Sequence, residues 1–179
     1  MPAHKIVRMG LSHVPEGRLI FPALTVRENL IAGSSGNSKL KKADINRLLE
    51  HCFELFPRLR ERHSQGGGTL SGGEQQMLAL SRALASSPAL LMLDDLSMGL
   101  APLIVSHLYE RVGELARDGL SILVVEQFAQ AVLGVATRGA IMLHGCIERT
   151  GDPSELAAQA ASAYLGGEAT KTPSHSGGE

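Results

Sequence analysis

Apolar positions along the chain follow two rhythms. Between residues 25 and 85 they recur every three or four positions, the spacing of one helix face. Residues 44–56 place Ile45, Leu48, Leu49, Cys52, Phe53 and Phe56 on such a face, and Pro57 stops it. Residues 71–85 form a second, with Met77, Leu80 and Leu84 turned to a core. Residues 25–32 predict a short helix, with Thr25 as N-cap and Glu28 at the capping-box position. Polar, glycine-bearing loops are expected at 33–42 and 63–69. Beyond residue 85, short continuous apolar runs alternate with amphipathic stretches. Residues 89–93 and 120–125 predict strands buried on both faces. Residues 102–117 predict a helix with Pro102 in its first turn and Ile104, Leu108, Val112 and Leu115 on one side. A helix over 127–135, strands over 140–143 and 146–149 around a His144-Gly145 turn, and a helix over 152–161 follow. Residues 5–15 predict one more strand, ended by Pro15. Strand and helix in alternation predict an α/β fold with a parallel sheet.

Composition narrows the function. At 179 residues with 44% hydrophobic and 20% charged positions, the chain suffices for about one domain with a buried core. The net charge of −1 carries no basic excess, so no nucleic-acid partner is expected. Two cysteines outside any CxxC pair argue against a disulfide scaffold or zinc ribbon. The seven histidines show no metal-ligand spacing. Apolar runs fall well short of the ~20 residues of a membrane span, and the first residues lack a secretory apolar region, so a cytoplasmic location is expected.

Three motifs carry candidate chemistry. In Leu70-Ser71-Gly72-Gly73-Glu74-Gln75-Gln76, Ser71 can cap a helix and Glu74 can close the box. Two glycines in the first turn each cost ~1 kcal/mol against alanine. What they provide is close access to bare N–H groups, where the helix dipole favours an anion such as phosphate. The competing reading is an ordinary capped amphipathic helix. The run Leu90-Leu91-Met92-Leu93-Asp94-Asp95 ends a buried strand in two acids, where open α/β sheets bind ligands. Asp94 can hold Mg²⁺ there and Asp95 can orient a water, or the pair can be a solvated turn. Val124-Val125-Glu126-Gln127 ends a second strand in the same crevice.

Taken together with Ser97-Met98-Gly99-Leu100-Ala101-Pro102, these motifs resemble the nucleotide-binding domain of ABC transporters, in which LSGGEQQ is the signature motif. The resemblance extends to about Gly167. Val14-Pro15-Glu16-Gly17-Arg18, residues 25–30 (TVRENL), Val125-Glu126-Gln127 and residues 163–167 (AYLGG) are similar to the ATP-binding subunit of branched-chain amino acid importers. Urea and other amide importers have similar subunits. The resemblance implies a P-loop NTPase-like (ABC ATPase) parallel sheet with a helical subdomain, N-terminally truncated. Residues 1–165 would be a partial ABC ATPase domain, with a helical subdomain over about 25–85, the signature at 70–76 and the remaining catalytic core at 86–165; 166–179 would be a disordered tail.

The same resemblance implies ATP and Mg²⁺ as cofactors, a head-to-tail dimer with a homologous ABC ATPase subunit, transmembrane permease subunits as partners, and a peripheral place on the inner face of the plasma membrane. Ser71, Gly72 and Gly73 would contact the γ-phosphate of ATP on the opposite subunit, with Gln75 in the same nucleotide-binding motif. Asp94 would be the magnesium acid. Asp95 stands where the family usually has the glutamate base; its carboxylate is shorter by one methylene, and a misplacement of ~1 Å can cost ~10²-fold in rate. Leu96 replaces a usual proline, and Ser97 to Leu100 would be the D-loop. Gln127 stands at the switch-histidine position and Glu16 at the Q-loop glutamine position, as in the amino-acid importer subgroup.

No run in these residues reads G-x-x-x-x-G-K-[ST]. The nearest, residues 33–40 (GSSGNSKL), has Ser38 for the second glycine and Leu40 for the Ser/Thr. ATP binding in cis is therefore expected to be weak and the chain inactive alone. The strand over 120–125 is expected to lack its usual neighbour, an aggregation hazard. The leading reading is an importer ATPase subunit or a fragment of one. A second is a non-catalytic remnant or module that lends its signature motif to an intact partner. A third, an ABC ATPase acting on DNA or ribosomes, would bring coiled-coil insertions or paired domains that are not seen here.

Overall fold

A computed structural model describes residues 1–37, 39–127 and 130–157. The chain divides into two compact units, Met1–Val135 and Ala136–Glu179.

The first unit is built on three parallel strands in the order β1 (Leu11–Val14), β2 (Leu90–Asp94), β3 (Ser121–Val125). The register aligns Val14 with Leu93 and Leu93 with Val124. The carboxyl ends of all three strands therefore share one edge of the sheet. The central strand has the most continuous apolar sequence, and its Leu91 and Leu93 are buried. β3 has no second strand neighbour among the described residues, and Leu123 and Val125 are 49% and 56% exposed. The sequence predicts a strand buried on both faces; among the described residues β3 is instead half-exposed to exposed along its length, because its outer edge is unpaired there.

Helices α1 (Ala3–Arg8), α2 (Val26–Ser34), α3 (Lys42–Leu55), α4 (Pro57–Glu61), α5 (Gly72–Leu84), α6 (Pro102–Arg117) and α7 (Gln130–Leu133) complete the unit. Two of them start on capping boxes, Thr25 with Glu28 and Ser71 with Glu74, as their spacing predicts. Pro57 ends α3 and also opens α4, since a proline at the first helical position loses no hydrogen bond. The core joins Val26 and Leu30 of α2, Leu49, Cys52 and Phe53 of α3, Leu78 and Leu80 of α5, Leu91 and Leu93 of β2, and Leu108 and Val112 of α6.

Three local expectations are corrected. The strand expected over 5–15 is confined to Leu11–Val14; the residues before it form α1, and Gly10 at φ +91° turns the chain into the sheet. Helix α2 runs on through Gly33 and Ser34, whose hydroxyl donates to the Ile31 carbonyl at 2.7 Å. Residues 63–69 are not a free loop. The N–H groups of Val26 and Arg27 donate to the carbonyls of Gln65 and His63, and a 3₁₀ turn spans Gly67–Thr69. Buried Asn29 closes this region, donating to the carbonyls of Phe21, Leu24 and Thr25.

In the second unit β4 (Gly139–Leu143) and β5 (Cys146–Gly151) form an antiparallel pair of their own. His144 and Gly145, at φ +51° and +81°, supply the left-handed turn that suits a two-residue hairpin. A helical stretch follows over 153–157, its first turn capped by Asp152, which accepts from the Ser154 N–H at 3.0 Å. The rest of the expected closing helix, residues 158–161, and the tail 166–179 lie outside the described residues. No helix among those described is long and apolar enough to cross a membrane.

Candidate functional site

Two groups of residues bring together what the sequence singled out. The first is the start of α5. Ser71 sits in extended backbone just ahead of the helix. The Glu74 N–H donates to Ser71 Oγ at 3.4 Å, while Ser71 N–H and O–H donate to Glu74 Oε2 at 2.9 and 2.8 Å. Arg62 Nε pairs with the other Glu74 oxygen at 3.0 Å. Burial pushes the Glu74 carboxyl upward, but the Ser71 bonds and the nearby guanidinium charges outweigh it and hold it below the usual range. The box is thus a rigid frame for the two glycines that follow.

A side chain at either glycine would be tight. A Cβ on Gly73 would stand 3.0 Å from Ile104 Cγ2, and one on Gly72 would stand 3.0 Å from the Arg18 guanidinium. A groove of about 370 Å³ opens here, lined by Ser71, Gly72, Gly73, Gly99, Leu100 and Ile104 among others. Gln75 is half-buried, donating to the Leu70 carbonyl at 3.2 Å and accepting from Arg18 Nη1 at 3.2 Å.

The second group lies at the carboxyl edge of the sheet. Parallel register puts Glu16 beyond β1, Asp94 and Asp95 at the end of β2, and Glu126 and Gln127 beyond β3. Asp95 adopts φ +49°, a left-handed conformation that aspartate tolerates better than most residues, and its N–H donates to the Val125 carbonyl at 2.9 Å. Burial, then the negative charge of Glu126, and after it Glu16 and Asp94, push the Asp95 carboxyl above its ordinary range. Glu16 and Gln127 are exposed. None of Glu16, Asp94, Asp95 and Gln127 lines the α5 groove, so the two groups are separate within one chain.

Among the described residues no three His, Cys, Asp or Glu side chains gather to hold a metal. Magnesium is commonly held by one or two carboxylates together with nucleotide phosphates. Asp94 at the strand end fits that role and no fuller protein cage.

Glu126 is the residue sequence reasoning passed over. Its carboxylate accepts from Ser97 N–H and Ser97 O–H, both at 2.8 Å, and from the Tyr109 hydroxyl. It ties the loop after Asp95 and helix α6 to the end of β3. Arg18 is the second omission. The sequence showed it only as the last residue of the Val14-Pro15-Glu16-Gly17-Arg18 segment with no role attached, while its partner Gln75 lies 57 positions away.

Known proteins resemble this chain in sequence and in fold. The sequence profile of the ABC transporter family matches residues 2–97. The high-affinity branched-chain amino acid transport ATP-binding protein BraG of Pseudomonas aeruginosa is 43% identical over 93% of this chain and 71% of its own length. A probable branched-chain amino acid transport ATP-binding protein, LivF of Archaeoglobus fulgidus, is 33% identical over 87% of this chain and 65% of its own. The solved structure of an ATP-binding subunit of an ABC transporter superposes with a TM-score of 0.71 at 25% identity, over 86% of this chain and 63% of that one. A nucleotide-free ATP-binding cassette gives 0.73 at 21% identity, over 90% and 68%, a likeness of fold.

Proposed function

The chain belongs to the ABC transporter family of ATP-binding proteins, and from that membership we propose that it is the ATP-binding subunit, or a part of one, of an importer for branched-chain amino acids. The names of the two relatives support the substrate class. The observation that carries the reading is the start of α5. There a capped helix begins with two glycines lining a groove, whose lack of side chains lets a phosphate approach the backbone N–H groups of the first turn.

In this reading Ser71, Gly72 and Gly73 grip the terminal phosphate of ATP held by a second, homologous subunit packed head to tail. Magnesium bound with that nucleotide would neutralise phosphate charge. In the cis site Asp94 would hold the metal. Asp95, with its carboxyl held above the usual range, would accept the proton of the attacking water, and Gln127 would orient the phosphate side. Glu16 would sense nucleotide at the start of the loop that leads to α2. The helices over 25–85 would dock on a transmembrane permease, which places the protein at the inner face of the plasma membrane.

The test is co-expression with a homologue bearing G-x-x-x-x-G-K-[ST]. ATP should drive association of the two chains, and Ser71→Ala should weaken it. Wild-type chains that ignore ATP would refute the reading. Association with ATP but no change in ATP hydrolysis would argue against a module that lends its signature motif to an intact partner.

A further inference from the structure

Arg18 lies in the turn between β1 and α2, where Gly17, Arg18 and Leu19 have φ of +82°, +69° and +42°. The Leu19 N–H donates to the Gly17 carbonyl at 2.8 Å and tightens the turn. The side chain comes to rest on the signature segment. Nη1 donates to Gln75 Oε1 at 3.2 Å. A Cβ on Gly72 would stand 3.0 Å from Nη2 and 3.2 Å from Nη1, and one on Gly99 would stand 3.9 Å from Nη2. The guanidinium therefore lies beside Gly72 and Gly99, two of the three glycines that line the groove, just behind its wall.

Its electrostatic setting is unusual. Among the described residues no carboxylate pairs with Arg18; its partner is the neutral Gln75 amide. The N-terminus of α5, beside it, already carries positive partial charge. Glu74, the carboxylate of that first turn, is taken up by Ser71 and Arg62, so a second cation beside this end is unfavourable unless a further anion joins them. Arginine's planar fork matches phosphate oxygens in a way a point charge does not.

We propose that Arg18 is a phosphate-binding residue of the signature half-site, its guanidinium contacting the terminal phosphoryl group of a nucleotide held by the opposite subunit. The inference rests on the trans-nucleotide reading above. It adds a guanidinium without a carboxylate partner to a groove whose lining arginine, Arg58, is already paired with Glu61, and it makes this face selective for the triphosphate over the diphosphate. Gly72 then has a second reason to lack a side chain, since a Cβ would push the guanidinium away.

The test uses the full chain co-expressed with a homologue bearing G-x-x-x-x-G-K-[ST], and follows association of the two chains with AMP-PNP and with ADP. Wild type should associate more tightly with AMP-PNP. Arg18→Gln and Arg18→Lys should each weaken AMP-PNP-driven association about tenfold or more, the range for a lost charge-assisted hydrogen bond. The ADP measurement should move little. Equal weakening with both nucleotides would make Arg18 a packing residue and overturn the proposal, as would association unchanged by either variant. If Arg18→Gln does not fold, Arg18→Lys decides, because it keeps the aliphatic stem and the charge and loses the fork. Wild type that shows no preference for AMP-PNP would refute the trans-nucleotide reading itself, a result distinct from failure of Arg18 alone.

Discussion

Replacing Glu126 should separate the geometry of its carboxylate from its charge. Oε1 accepts from Ser97 N–H and from the Tyr109 hydroxyl, and Oε2 accepts from Ser97 O–H. Tyr109 is 1% exposed, so truncation to alanine leaves its hydroxyl without acceptor or water. A stranded buried donor costs ~1–3 kcal/mol. Ser97 is also buried and loses two partners, though its loop can relax toward solvent. Relief of the repulsion between Glu126 and Asp95 returns part of this. The net expectation for Glu126→Ala is a loss of about 3 kcal/mol, which for a chain of this size lowers Tm by ~6–12 °C. Glu126→Gln keeps one acceptor oxygen for both Oε1 bonds, and its amide can donate to Ser97 Oγ. It should cost about 1 kcal/mol, the charge assistance alone. Thermal unfolding followed by circular dichroism at neutral pH measures both. Tyr109→Phe combined with Glu126→Ala should be less than additive, since the two side chains share one bond. The reasoning fails if Glu126→Ala leaves Tm unchanged, or if Glu126→Gln is as damaging as Glu126→Ala.

Other expectations follow from single positions. A Cβ on Gly33 would stand 2.1 Å from the Arg82 carbonyl oxygen and 2.8 Å from its Cγ, so Gly33→Ala must push α2 off α5. A loss of about 3 kcal/mol is expected, at the upper end for overpacking, read as a lower urea midpoint at constant slope. Asp95 is held above its ordinary range, so its ionisation works against the fold. That destabilisation is absent below the usual aspartate range and complete once pH exceeds the raised value. Asp95→Asn should therefore be more stable than wild type at neutral pH, with the advantage vanishing in acid; equal stability at neutral pH would contradict it. Burial pushes the Cys52 thiol up to about 12, whereas Cys146 is exposed. Brief alkylation at neutral pH should label Cys146 and spare Cys52 until denaturant is added, and equal labelling by mass spectrometry would refute the placement of α3.

What the sequence determined by itself was everything encoded over three or four neighbouring residues. The boxes at Thr25/Glu28 and Ser71/Glu74 are read at that range because their hydrogen bonds close within one helical turn. The span of α6, from Pro102 to Arg117, follows from one proline and one apolar stripe. The double glycine after Ser71, with the acids ending β2, was enough to suggest phosphate and magnesium chemistry. The tertiary structure decided the rest. Residues 3–8 became helix because the sheet accepts β1 only from Gly10 onward, where the Gly10 carbonyl takes the Ala89 and Leu90 N–H groups. Residues 63–69 were ordered by α2, to which they bond. Glu126 acquired its role from a serine 29 positions away and a tyrosine 17 away, and Arg18 from a glutamine 57 away. Such pairings carry no periodic signal, since the chain between the partners is free to vary. They exist only once parallel register has brought the strand ends to one edge and packing has laid the β1–α2 turn against α5.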